Sequence, residues 1–227
     1  MQSKNYQLYV FDWDGTVMDT TGLIARGMQQ ACVTLGYPQP DLDACRETIG
    51  LPFAESFARV APGFRYKQLD EFLTAYRNWY LQREAQVDVM AGLEDLFDRM
   101  TKNGMRLAVA TGKSRAGLIR VFERTGLEKY FEATVTADES FPKPNPAMLE
   151  KLSDETGVDV REMVMIGDSI HDLQLAQNAR CDAVAVTWGA ARLPELQSYP
   201  AMAYVSDVKE LIRALNLSYL YEESQSA

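Results

Sequence analysis

A doubly wound α/β core with a parallel sheet, interrupted by an inserted helical module, is the fold this chain predicts. Three observations predict it. Short apolar runs with β-branched content alternate with helix-periodic segments from Leu107 onward. An early stretch of the chain is helix-periodic and lacks strands. Several of the apolar runs end abruptly on a polar residue, as strands do when they feed a ligand crevice.

Taken in order, Leu8 to Phe11 is the first strand, four apolar residues closed by Asp12. From about Val17 to Val87 the alternation stops. Ile24, Met28, Ala31 and Leu35 form one apolar stripe, and Leu69, Phe72, Leu73, Tyr76 and Tyr80 another, at the spacing of amphipathic helices. The same stretch carries Phe53, Phe57, Phe64, Tyr66 and Trp79. Aromatic residues at this density pack helices together, with lining of a substrate pocket as the alternative use. Hinges are expected at Gly15 to Thr21 and at Asp88 to Gly92. Further strands follow at Leu107 to Ala110, Ala133 to Val135, Val164 to Ile166 and Ala183 to Val186, separated by helices over Ser114 to Thr125, Pro146 to Thr156 and Ser169 to Ala179. Such alternation implies a parallel sheet covered on both faces. The expected division is a core of residues 1–16 and 88–227 and a helical module of residues 17–87, which suits a length of 227. The tail from Ser218, SYLYEESQSA, is polar and acidic, and its end is expected to be poorly ordered.

Composition narrows the function classes. An apolar fraction of 47% with 24% charged residues is that of an ordinary globular protein. The formal net charge of −9 argues against nucleic acid as a partner, because that binding rests on Lys and Arg neutralising phosphates. A small anionic ligand would need a metal or placed lysines to offset the surrounding acidity. Cys32, Cys45 and Cys181 show no CxxC spacing and read as free thiols. The N-terminal MQSKNYQLYVFDWDG reaches acidic residues before any signal-like apolar run, and no stretch is long enough for a membrane span. A cytoplasmic protein is expected.

Four segments place polar residues just past apolar runs: Asp12 and Asp14 in VFDWDGT, Thr111 in AVATGKS, Lys143 in FPKPNP, and Asp168 and Asp172 in MIGDSIHD. In an open parallel sheet these positions converge on one crevice at the carboxyl ends of the strands. Asp12, Asp14 and Asp168 brought together would repel one another unless a cation sat among them, and an all-oxygen cluster suits Mg²⁺. Thr111 offers a hydroxyl and Lys143 a positive charge to phosphoryl oxygens. One carboxylate can attack phosphorus while a second serves as acid and then base. A calcium loop is excluded because its first ligand would fall on Val10, and a P-loop because the glycine needed five residues before Gly112 is Leu107. Lys113 is either a surface charge or a phosphate contact, and His171 is solvated or a support for its neighbours, with catalysis as the alternative.

Together, DWDGT with Asp19 following, Thr-Gly-Lys, KPNP and GDSIHD resemble the four motifs of the haloacid dehalogenase superfamily, over nearly the whole chain. With helices directly after the first motif, the chain looks like the branch that contains phosphoglycolate phosphatases, pyrophosphatases and β-phosphoglucomutases. The resemblance implies Asp12 as nucleophile and Asp14 as general acid and base, its carbonyl also facing Mg²⁺. Thr111, Gly112, Lys113 and Lys143 would contact the phosphoryl group, Asp168 would ligate the metal, and Asp172 would do so or hold its waters. The module over 17–87 would be a mobile cap, with Gly50, Leu51 and Pro52 in its substrate-facing loop. Trp13, where a smaller residue or Phe is usual, and Arg180, where Gly is usual, depart from the pattern.

The function implied is a Mg²⁺-dependent phosphatase acting on a small phosphorylated metabolite such as phosphoglycolate, as a monomer or homodimer. The alternatives are a phosphomutase of the β-phosphoglucomutase type, a pyrophosphatase, and a non-catalytic binding module. Thr16 favours a phosphatase, since resembling mutases often carry an aliphatic residue there. Arg46, Arg65, Lys67 and Arg77 are either anchors for a second anionic group on the substrate or solvated charges.

Overall fold

A computed structural model describes residues 5–222. Strand β1 (Leu8–Phe11) leads into four helices, α1 (Thr21–Thr34), α2 (Leu42–Arg46), α3 (Phe53–Val60) and α4 (Leu69–Leu81). Helix α5 (Leu93–Lys102) then returns the chain to β2 (Leu107–Ala110). From there α6 (Arg115–Thr125), β3 (Ala133–Val135), α7 (Ala147–Thr156), β4 (Met163–Gly167), α8 (Ile170–Ala179), β5 (Asp182–Val186), α9 (Leu193–Leu196), β6 (Ala203–Val205) and α10 (Val208–Ala214) follow in alternation. The sheet order is β3-β2-β1-β4-β5-β6, and every neighbouring pair is parallel. This is the doubly wound α/β core expected, with β6 added at one edge.

The strands divide two cores between their faces by simple alternation. Tyr9 and Phe11 of β1 join Phe97, Val109, Phe122 and Phe131 on one side, while Leu8 and Val10 join Ala108, Leu149, Met165 and Leu173 on the other. Trp13 is fully buried in the first core, edge-on to Phe122 at 5.1 Å between centroids. Such burial on both faces is why the strands read as unbroken apolar runs.

A third apolar cluster lies wholly within α1 to α4 and their loops, gathering Ile24, Met28, Ala31, Phe57, Phe72, Tyr76 and Tyr80. Phe57 and Phe72 lie 4.6 Å apart at its centre. Two chain segments join these helices to the sheet and run side by side: Asp19 N donates to Asp88 O at 3.1 Å, and Met90 N to Val17 O at 2.8 Å. At the end of α8, Arg180 adopts the left-handed conformation, φ +59°, in the place where the family resemblance expects glycine. The end of the acidic tail lies outside the described residues.

Candidate active site

Asp12, Thr111 and Asp168 are the first residues beyond β1, β2 and β4, three strands that are neighbours in the sheet. Lys143 comes from the loop after β3, and Asp172 from the first turn of α8. The chain thus brings five of the expected residues to one point at the carboxyl edge.

Lys143 is the link. Its buried Nζ lies 2.6 Å from Asp12 Oδ1 and 2.6 Å from Asp172 Oδ1. Asp12, Asp168 and Asp172 each offer an oxygen within 4.8 Å of the others. Asp168 is held on both oxygens: Thr16 Oγ1 donates to one at 3.0 Å and the Ala190 amide to the other at 2.6 Å. Asp172 accepts from the amide and hydroxyl of Ser169 at 3.1 and 2.7 Å, and Ser169 in turn caps α8, a reciprocal capping box. Gly15, at φ +89°, admits this packing, because a Cβ there would meet Asp168 Oδ2 at 2.2 Å.

Electrostatically the cluster is short of positive charge. Burial, followed by the charges of Asp172 and Asp168, raises Asp12 well above the ordinary carboxylate range even though Lys143 opposes the shift. Burial, and then Asp172, pushes Asp168 up to about 7. Burial opposes the ammonium of Lys143, but Asp12 and Asp172 outweigh it and keep Lys143 protonated. A divalent cation bound by oxygen would relieve the repulsion, and the donor set fits one.

Asp14 lies outside this trio. Its Oδ2 pairs with Lys113 Nζ at 3.0 Å, and its Oδ1 is buried with no hydrogen-bond partner among the described residues. Thr111 is fully buried, and its Oγ1 accepts from the Lys113 amide at 3.1 Å. Gly112 is exposed beside it. Gly50 lies against α8, since a Cβ there would approach His171 Cδ2 at 3.0 Å. Leu51 follows it, and Pro52 caps α3. A cavity of about 260 Å³ opens between the helical group and the sheet, lined by Arg46, Ile49, Arg59, Ser169, His171 and Ala190. Arg46 thus lines the cavity beside Ser169 and Ala190, whose amides and hydroxyl hold Asp172 and Asp168, whereas Arg65, Lys67 and Arg77 do not line it. A depression of about 330 Å³ at the opposite strand ends, around Ser153, Arg161 and Arg180, reaches none of these groups.

Sequence reading missed the Ala190 amide, Thr16 as the partner of Asp168, and Arg59. The SxxD spacing of Ser169 and Asp172 was a legible signal for the capping box; the Ala190 contact left none.

Residues 9–186 match the family model described as haloacid dehalogenase-like hydrolase. The chain belongs to this family. It is 32% identical over 215 residues to the probable phosphatase IndB of Dickeya dadantii, covering 91% of this chain and 92% of that protein. It is 27% identical over 218 residues to a phosphoglycolate phosphatase of Agrobacterium fabrum, covering 92% and 91%. A solved haloacid dehalogenase-like family hydrolase from Streptococcus pneumoniae superposes with a TM-score of 0.82 at 20% identity, covering 94% of this chain and 99% of that one, which shows the shared fold. The chain is thus a haloacid dehalogenase-like hydrolase, and these two curated relatives are named as phosphatases. No helix among its described residues is long and apolar enough to cross a membrane.

Proposed function

We propose that the chain is a Mg²⁺-dependent phosphomonoesterase that hydrolyses a small, phosphoglycolate-like metabolite through an aspartyl-phosphate on Asp12. The observation that carries this reading is the position of Asp12, at the end of the central strand, with Lys143 at 2.6 Å and two further carboxylates beside it.

The assignments follow from chemistry. Asp12 attacks phosphorus, and Lys143 balances charge on the nucleophile and the transferring group. Thr111 and the adjoining Gly112, just past β2, would hold phosphoryl oxygens. Asp14 protonates the leaving oxygen and then takes a proton from the water that releases phosphate. Asp12, Asp168, Asp172 and the main-chain carbonyl of Asp14 would hold Mg²⁺. When bound, the ion supplies Lewis-acid stabilisation of phosphoryl charge and cancels the repulsion among the carboxylates. Residues 17–87 act as a cap over the site, and the cavity beside Gly50, Arg46 and His171 receives the rest of the substrate while water is excluded.

The test is a phosphate-release screen with Mg²⁺ over phosphoglycolate, pyrophosphate, sugar phosphates and nucleotides, repeated with a chelator. Release is expected from a small phosphomonoester, lost on chelation and absent in Asp12→Asn. Wild-type turnover in that variant, or conversion of a sugar phosphate to its isomer without phosphate release, would overturn the reading.

A further inference from the structure

Lys113 gathers around itself groups that phosphate binding does not require. Its Nζ pairs with Asp14 and lies 5.5 Å from the ring centroid of Tyr80, at the end of α4. Tyr80 is buried and stacks on Tyr76, with centroids 5.4 Å apart and planes at 24°. Glu84, just past α4 and also buried, reaches across to Arg120 of α6 at 3.3 Å. The stem of Lys113 lies along α6 at Gly117, where a Cβ would come within 2.9 Å of its Cγ, so glycine is what leaves room for it.

These contacts join two parts of the molecule. Lys113, Gly117 and Arg120 belong to the sheet domain, whereas Tyr76, Tyr80 and Glu84 belong to the helical group. The ammonium touches no carboxylate of the Asp12 cluster, which has Lys143 for that purpose. Three buried atoms in this junction, Asp14 Oδ1, Tyr80 Oη and Glu84 Oε1, have no hydrogen-bond partner among the described residues. Asp14 is therefore steered through one oxygen only, its other oxygen being buried without a partner among the described residues.

Resting on the assignment of Asp14 as general acid and base, we propose that Lys113 is a positioning residue for Asp14, and that the Tyr80 ring holds Lys113 in place only while the helical group covers the site. With the ring over it, the ammonium is shielded from water and its pull on Asp14 is strong; with the ring withdrawn, water screens the pair and Asp14 loses its alignment. In the first step the Asp12 oxygen bonds to phosphorus as the ester P–O bond breaks, and the departing electron pair takes the proton of Asp14. In the second, water gives a proton to Asp14 while its oxygen bonds to phosphorus, which returns the Asp12 carboxylate. Lys113 neither gives nor takes a proton in either step.

The experiment compares kcat/KM, which reports the first step, on phosphoglycolate and on p-nitrophenyl phosphate, whose leaving group departs without an acid. Lys113→Met is expected to lower kcat/KM about 100-fold on phosphoglycolate and only about 3-fold on the aryl ester, the signature of a misplaced acid. Tyr80→Leu should repeat the pattern at about 10-fold, and Tyr80→Phe should restore the rate, since it keeps the ring. Lys113→Met added to Asp14→Asn should bring no further loss. Equal losses on both substrates with a raised KM would make Lys113 a phosphate ligand and overturn the proposal. So would Tyr80→Phe failing as badly as Tyr80→Leu. If Asp14→Asn itself fails equally on both esters, the general-acid assignment fails, and the position of Lys113 loses its purpose with it.

Discussion

Lys143 carries the charge of two buried carboxylates at once, so its removal touches more than substrate binding. Lys143→Met leaves Asp12 and Asp172 buried without their cation. Breaking a buried ion pair from one side costs about 3–5 kcal/mol. Urea unfolding in chelator should show a loss of that order, shrinking as pH falls because protonation removes the stranded charge; a loss independent of pH would contradict this. Trp13 predicts the opposite kind of result. It is fully buried, yet its indole Nε1 has no partner among the described residues. Trp13→Phe gives up buried ring area but also removes an unsatisfied donor, whose burial costs about 1–3 kcal/mol. The two effects oppose each other, so the change in unfolding free energy should stay within about 1.5 kcal/mol. A loss of the size seen for cavity-forming core substitutions would show that the indole nitrogen is satisfied in solution.

Between elements, packing space decides what sequence periodicity cannot. On α1, Gly27 lies against α4, where a Cβ would meet Tyr76 Cε2 at 2.8 Å. Alanine in a helix interior usually gains about 1 kcal/mol over glycine. Here overpacking of about 1–3 kcal/mol opposes it, and the net sign is a loss. Hydrogen exchange on Gly27→Ala should show faster opening in α1 and α4 with β1, β2 and β4 unchanged; uniform loss across the sheet would mean that the helical group and the core unfold as one. The unbroken apolar run of β1 and the single polar residue closing β1, β2 and β4 were legible in the sequence because strand burial and strand ends leave a local imprint. By contrast β6 was not: of its three residues only Val205 is buried, and an edge strand that short has no period to detect. Nor was the docking of Tyr80 on Lys113 or of Glu84 on Arg120 legible, since stripes on α1 and α4 reveal which face is apolar and not where the helices sit over the sheet.

At the scale of the whole molecule, a chain of net charge −9 adds three buried carboxylates at one point, and the consequence should be visible in how stability depends on pH and Mg²⁺ together. Asp168 is raised from 3.8 to about 7, by burial first and by Asp172 next. A carboxyl whose folded value lies above its unfolded value stabilises the fold fully below the unfolded value, and that contribution is lost as pH rises through the folded one. Metal-free protein therefore loses this contribution between about pH 4 and pH 7. Glu139 works in the other direction, held down to about 2 by its hydrogen bond to Arg115, but it lies outside the carboxylate cluster, so its effect cancels when Mg²⁺ and chelator are compared at one pH. Binding needs the deprotonated oxygens, and a ligand at about 100 times its Kd adds about 2.7 kcal/mol to the folded state. The rise in Tm on adding Mg²⁺ should accordingly be small near pH 5, grow toward about pH 7 and level off above it. Asp168→Asn should remove most of the rise, because it takes away both a ligand and the charge that calls for one. A rise in Tm that is flat across this range, or that survives in Asp168→Asn, would place the cation elsewhere than among Asp12, Asp168 and Asp172.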